Sequence, residues 1–160
     1  MLVQVAHLYR PSVVIAAMSL DPLRLFFSAN NFAVVGASTD PAKYGNKITN
    51  WYVRHKLPVT PINPKSPVIY NIQAAESVTS AINDHPGSFS FSVVTPPAIS
   101  QETVKSLAVF KDRVKGVWFQ PGSYDTATLD LIAKLGIDYI AGGRCVLVEG
   151  EKGLNLVGKL

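Results

Sequence analysis

The segment 32–56 constrains the fold more than any other part of the chain, because its pattern is that of a strand, a tight turn and a helix. It begins with four apolar residues, which is typical of a strand buried on both faces of a parallel sheet. Three small residues follow, Gly36, Ala37 and Ser38, and residues 44–56 are predicted to form a helix. Such a turn lets the backbone approach a pyrophosphate, and the helix N-terminus offers unpaired N–H groups and a partial positive charge. The segment therefore predicts the start of a mononucleotide-binding βαβ unit.

Strands and helices alternate through the rest of the chain. Further strands are predicted over 57–62, 90–94, 116–119 and 138–141, and helices over 22–28, 76–83, 100–111 and 126–135. This alternation favours an α/β fold, namely a Rossmann-like doubly wound parallel sheet of about five strands with helices on both faces. In such sheets, ligands bind at the carboxyl ends of the strands.

Local signals set some of the expected boundaries. Ser100 is the predicted N-cap of the helix over 100–111, and Gly136 is the predicted C-terminal stop of the helix over 126–135. Pro58 and Pro61 each remove a backbone donor, so the second strand is expected to be short or irregular. The last residues, 146–160, carry a weak pattern from which no element is predicted.

Length and composition restrict the organisation of the chain and its class of ligand. The 160 residues fit one domain, expected over 18–160, with 1–17 as an N-terminal extension that is either dispensable or a targeting signal. The net charge of +4 comes from scattered basic residues, so no nucleic-acid surface is expected. No apolar run approaches the ~20 residues that span a bilayer, so no membrane association is expected. The single cysteine, Cys145, fits a reducing compartment; a cytoplasmic location is predicted, with a mitochondrial one as the alternative.

The residues that follow the predicted strands share one character. The strand bodies are apolar, whereas the residues at their carboxyl ends are small, polar, cationic or proline: Gly36, Ala37, Ser38, Asn63, Pro64, Lys65, Thr95, Pro96, Pro97, Gln120, Pro121 and Gly122. Because the carboxyl ends of parallel strands meet at one edge of a sheet, we expect these residues to face a single nucleotide cleft.

The same residues indicate which nucleotides fit. The usual dinucleotide fingerprint is Gly-x-Gly-x-x-Gly, with an acid after the second strand that binds the ribose diol. Here the turn contains only two glycines, Gly36 and Gly45, and Lys65 stands where the acid would be. A lysine is a compact positive charge that suits a phosphorylated ribose. This pattern disfavours NAD and leaves NADP and coenzyme A (CoA) open.

Five motifs extend the interpretation to a known family. They are Val34-Val35-Gly36-Ala37-Ser38, Pro61-Ile62-Asn63-Pro64-Lys65, Val93-Val94-Thr95-Pro96-Pro97, Val117-Trp118-Phe119-Gln120-Pro121-Gly122-Ser123 and Gly143-Arg144-Cys145. With these motifs the chain resembles the small stand-alone CoA-binding proteins, whose fold is similar to the N-terminal nucleotide domain of the succinyl-CoA synthetase alpha subunit. The resemblance covers about residues 30–148. It implies a Rossmann-like fold and CoA as the ligand.

The resemblance also implies roles for single residues. The turn of Gly36, Ala37 and Ser38 would lie under the phosphates, and Lys43 and Gly45 would complete it. Further along the chain, Lys65, after Asn63 and Pro64, would meet the ribose phosphate or the pyrophosphate. The path of the adenosine and pantetheine would be bordered by Thr95, Pro96 and Pro97. The far side of the crevice would be lined by Gln120, Pro121 and Gly122.

The resulting hypothesis is a binding module that holds CoA or an acyl-CoA and has no covalent catalysis of its own. One alternative is a small NADP-dependent oxidoreductase, for which no proton-donor pair is evident in the sequence. Another is an interaction subunit with a vestigial nucleotide site. Cys145 is expected to be a buried, inert thiol, and no pair of histidines has metal-ligand spacing. A homodimer or an unidentified protein partner is left open.

Overall fold

The computed structural model describes residues 21–160, and the predicted extension 1–17 lies outside them. This part of the chain has seven strands: β1 (Asn31–Val35), β2 (Val59–Ile62), β3 (Val68–Ile69), β4 (Ile72–Gln73), β5 (Phe89–Val93), β6 (Val114–Phe119) and β7 (Tyr139–Ile140). It has six α-helices: α1 (Pro22–Phe27), α2 (Tyr44–Arg54), α3 (Val78–Asp84), α4 (Pro97–Leu107), α5 (Thr126–Leu135) and α6 (Val146–Leu156). A 3₁₀ helix, Ala108–Arg113, follows α4.

Five strands form one parallel sheet in the order β2-β1-β5-β6-β7, and β3 pairs with β4 in a separate antiparallel hairpin. The sheet begins near its middle with β1 and adds β2 on one side. It then continues on the other side of β1 with β5, β6 and β7. The strand order therefore reverses between β1 and β5, and the predicted Rossmann-like fold is confirmed.

Helices cover both faces of the sheet. Alternate residues of a strand point to opposite faces, so each strand contributes side chains to two core clusters. Ala33 and Val35 pack in one core cluster with side chains of α3, α4 and α5. Phe32 and Val34 pack in a second cluster with side chains of α1, α2 and α6. None of the helices within residues 21–160 is long and apolar enough to cross a membrane.

The second strand is short, as its prolines predict. It has four residues and lies at an edge of the sheet. The carbonyl of Pro61 points away from β1 and accepts the N–H of Ala75 at 2.8 Å. Because the N–H and C=O of one strand residue point to the same side, the missing N–H of Pro61 costs no bond to β1.

The start of α4 corrects the prediction. The helix begins at Pro97, where a missing N–H is harmless, and not at Ser100. Ser100 lies within the helix, and its hydroxyl contacts Thr95, at 2.9 Å from Oγ1 and 3.1 Å from the carbonyl oxygen. Helix α4 also ends earlier than predicted, at Leu107 instead of residue 111.

Helix α6 is an element that the sequence pattern did not predict. It packs against α1 and α2 through the buried side chains of Val146 and Leu154 and, at its closest approach, through Gly150 and Gly153. A Cβ at Gly153 would overlap the ring of Phe27, and one at Gly150 would overlap the ring of Trp51. Glycine is a poor helix former, and it adds nothing to an apolar stripe, so the pattern in this segment is weak.

Candidate functional site

A cleft opens at the carboxyl ends of β1, β2 and β5, where the strand order reverses. Its volume is about 630 Å³, which is typical of small-molecule sites. Nine of the fourteen predicted site residues line it: Gly36, Ala37, Ser38, Lys43, Asn63, Pro64, Lys65, Thr95 and Pro96. Three separate segments of the sequence are therefore brought together at one edge of the sheet.

The other five predicted residues are not part of the cleft wall. Gly45 lies beneath the turn after β1, and Pro97 is the first residue of α4. The remaining three, Gln120, Pro121 and Gly122, follow β6, one strand beyond the wall.

Sequence reasoning missed the part of the wall that comes from helices. Glu76, Ser77 and Val78 at the start of α3 contribute to it. So does one face of α4, which presents Ile99, Glu102, Thr103 and Ser106. The spacing of the α4 residues is i, i+3, i+4 and i+7, which identifies one face of a helix, although not what that face contacts.

The turn after β1 depends on two glycines for different reasons. Gly36 has a φ of +90°, and a Cβ there would lie 2.8 Å from Cγ2 of Val94. Gly45 is in the first turn of α2, and a Cβ there would overlap the backbone carbonyl of Gly36. Gly45 therefore permits the close approach of α2 to the turn, although eight residues lie between the two glycines.

Two asparagine side chains hold the carbonyl groups of this turn. Asn63 Nδ2 donates to the carbonyl of Ala37 at 2.8 Å, and Asn46 Nδ2 donates to the carbonyl of Ser38 at 2.9 Å. In a trans peptide the N–H points opposite to the C=O, so the N–H groups of Ser38 and Thr39 face away from the asparagines. Within residues 21–160 these two N–H groups have no acceptor. They form a small set of oriented donors that an anion can occupy.

The two helices that begin beside the cleft have no capping side chain at their N-termini. Neither α2 nor α4 has a side-chain cap, and neither has an acid in its first turn. In contrast, α1, α3 and α5 are capped by Asp21, Ser77 and Asp125, respectively. In the described residues this leaves the N–H groups of Tyr44 and Gly45 in α2, and of Ala98 in α4, without an acceptor, and each terminus carries a partial positive charge.

Charged side chains of both signs stand at the rim of the cleft. Lys43 and Lys65 are exposed on the side of the glycine turn. Glu76 and Glu102 are exposed on the side of α3 and α4, and Glu102 pairs with Lys105 at 2.8 Å. Lys43 comes four residues after Thr39 on the segment that carries the oriented N–H groups, which favours an anionic group at that end of a ligand.

Gln120 contributes to structure in a way that the sequence did not indicate. Its side chain is 1% exposed, and its Oε1 accepts the N–H of Val146 at 3.0 Å, in the first turn of α6. Its Nε2 has no hydrogen-bond partner in the described part of the chain. Pro121 and Gly122 are exposed in the turn that follows.

Cys145 is buried at the N-cap of α6, away from the cleft wall. The hydroxyl of Tyr44 lies 3.8 Å from its Sγ, and this contact raises the pKa of the tyrosine. Arg144, the neighbouring cation, pairs instead with Glu149 at 2.8 Å, and the pairing lowers the pKa of that carboxyl. Cys145 is therefore buried, as expected.

Comparison with known proteins identifies the family. The family model described as "CoA binding domain" matches residues 30–151. The chain belongs to the CoA-binding domain family. The resemblance drawn from the five sequence motifs is thereby confirmed.

Solved structures similar to this CoA-binding domain support the fold. A conserved hypothetical protein from Pyrococcus furiosus is 32% identical with a TM-score of 0.65, over 75% of this chain and 98% of that one. A hypothetical protein from Pyrococcus horikoshii OT3 is 25% identical with a TM-score of 0.70, over 83% and 89%. A Thermus thermophilus protein, 22% identical with a TM-score of 0.68 over 81% and 93%, shares the fold.

Proposed function

We propose that this CoA-binding domain holds CoA or an acyl-CoA in the cleft and performs no covalent catalysis of its own. The observation that carries the proposal is the pair of N–H groups at Ser38 and Thr39. The carbonyl groups of the same two peptide bonds accept hydrogen bonds from Asn63 and Asn46, which fixes the direction of both N–H groups. These donors lie beside the uncapped N-terminus of α2 and the side chain of Lys43. This arrangement suits the pyrophosphate of CoA, because both its charge and its oxygen acceptors are matched.

Lys65 is the proposed partner of the phosphate on the ribose. It is exposed on the cleft wall after β2, the position at which a ribose-binding group stands in related folds. Its backbone N–H donates to Asn63 Oδ1 at 2.8 Å, so the loop that carries it is joined to the asparagine that holds the glycine turn. The two phosphate-binding elements are thus held at a fixed spacing.

The rest of the ligand is proposed to run along Thr95 and Pro96, past the N-terminus of α4. A pantetheine arm that extends beyond the cleft would reach Pro121 and Gly122, which lie one strand further along the edge. The described wall contains neither a cysteine nor a histidine that could activate its serines, so it offers no Cys–His or Ser–His pair. Mass spectrometry of an acyl-CoA incubated with the protein is expected to show an unchanged thioester; turnover would contradict the non-catalytic role.

Lys65→Ala tests the proposal by titration calorimetry with CoA and dephospho-CoA. The wild-type protein is expected to bind CoA about 10-fold more tightly, because one charge-assisted contact is worth roughly 1.5 kcal/mol. Lys65→Ala is expected to remove this difference and to leave dephospho-CoA binding unchanged. Lys134→Ala, on the exposed side of α5, removes the same charge away from the cleft and is expected to change neither affinity.

The titrations also separate the alternatives. Failure of the wild-type protein to bind CoA would end the proposal, and equal affinity for the two ligands would remove the role of Lys65. NADP also carries a pyrophosphate and a ribose phosphate, so it belongs in the same series. Tighter binding of NADP than of CoA would favour the oxidoreductase alternative.

A further inference from the structure

We propose that Tyr70 is a positioning residue for the phosphate-binding turn and acts through Asn46, an inference that rests on the proposed function. Tyr70 lies at the tip of the β3–β4 hairpin, outside the cleft wall. Its hydroxyl is 2.5 Å from Asn46 Oδ1, and Asn46 Nδ2 in turn holds the carbonyl of Ser38. The hairpin is thereby connected to the N–H groups that are proposed to bind the pyrophosphate.

The direction of this hydrogen-bond chain follows from its last member. The carbonyl of Ser38 can only accept, so Asn46 must present its Nδ2 to it. Asn46 Oδ1 then faces Tyr70, and the tyrosine must donate. Each bond polarises the next, which strengthens the hold on the Ser38 carbonyl and on the peptide that carries the N–H of Thr39.

Burial makes the carboxamide of Asn46 dependent on Tyr70. Asn46 is 6% exposed, and it meets Tyr70 at the wall of a shallow surface pocket. Within residues 21–160, Tyr70 is the donor recorded for that oxygen. Without the hydroxyl, the buried oxygen loses its partner, and the carboxamide is expected to rotate away from Ser38.

The backbone of the hairpin supplies an independent argument. Tyr70 and Asn71 are the two central residues of its turn, with φ of +53° and +60°. Turns of this kind favour asparagine, aspartate and glycine, and a tyrosine at φ > 0 is disfavoured. The contact with Asn46 gives a reason for a tyrosine at this position.

Tyr70→Phe tests the inference, because it removes the hydroxyl and keeps the ring. By titration calorimetry we expect about 5-fold weaker binding of both CoA and dephospho-CoA, since both carry the pyrophosphate. This equal loss differs from that of Lys65→Ala, which is expected to weaken CoA alone. Tyr139→Phe is the matched control, because its hydroxyl has no hydrogen bond in the described residues; both affinities are expected to stay unchanged.

A second readout separates positioning from general stability. If the hairpin and the turn are coupled, saturation with CoA should slow amide hydrogen exchange at Ile69 and Ile72 in the wild-type protein but not in Tyr70→Phe. Unchanged affinities in Tyr70→Phe would overturn the inference and leave the proposed function intact, even if the melting temperature fell. Absence of CoA binding in the wild-type protein would instead remove the proposed function itself.

Discussion

Gly45→Ala is expected to lower the free energy of unfolding by about 3 kcal/mol and to abolish measurable binding of CoA. The added Cβ would overlap the carbonyl of Gly36, which is backbone and cannot turn aside as a side chain can. Overpacking of this kind costs roughly 1–3 kcal/mol, and a backbone obstacle places the cost at the upper end. To accommodate the methyl group, α2 must move away from the turn, and the N–H groups of the two elements then no longer converge.

Thermal unfolding and calorimetry measure these two effects separately. At 2–4 °C per kcal/mol for a chain of this size, the melting temperature should fall by roughly 10 °C. Lys47→Ala, on the exposed side of the same helix, is the control and should change neither property by much. A Gly45→Ala protein with wild-type stability and wild-type affinity would show that the close approach of α2 to the turn is not required.

Gly153→Ala is expected to destabilise the protein by about 2 kcal/mol, whereas Gly150→Ala should have a much smaller effect. Alanine favours a helix over glycine by about 1 kcal/mol, so both substitutions begin with the same gain. At Gly153 the new methyl group meets the ring of Phe27, which is fully buried among Phe26, Phe32 and Trp118. At Gly150 it meets the ring of Trp51, which is only partly buried and can turn toward solvent.

Urea unfolding of the two variants measures the free energy of unfolding of each. Because both are glycine-to-alanine substitutions three residues apart in one helix, the difference between them reports the steric cost at Phe27 relative to that at Trp51. CoA affinity of the folded Gly153→Ala protein should match that of the wild-type protein, because α6 contributes nothing to the cleft wall. Equal stabilities of the two variants would show that the rigidity of Phe27 does not decide the cost.

Much of the candidate site could be predicted from strand ends. A strand buried on both faces requires a continuous apolar run, so the point at which β1 stops is visible at Gly36. Parallel topology then places every carboxyl end at the same edge, and Lys65 and Thr95 reach the cleft wall as expected. The two uncapped helix starts also have a local signal, since the side chains at their N-caps, Lys43 and Pro96, cannot accept a hydrogen bond.

The asparagines that hold the turn had no such signal. Asn63 bonds a carbonyl 26 residues earlier in the chain, and Asn46 bonds a hydroxyl 24 residues later. An asparagine in a loop and one in a helix have many ordinary explanations, and only the folded chain brings the partner atoms within hydrogen-bond distance. The same holds for Gln120, whose side chain bonds the N–H of Val146, 26 residues away.

By itself, the order of apolar, small and polar residues determined an α/β chain with a parallel sheet, a glycine turn after the first strand and a cationic residue after the second. These properties depend on local geometry and on burial, which each segment carries in its own composition. Only the tertiary structure decided that α6 packs through glycines, that one face of α4 forms a wall of the cleft, and that Tyr70 reaches Asn46. Those contacts depend on what lies opposite each residue in space, and that is settled only when distant segments pack together.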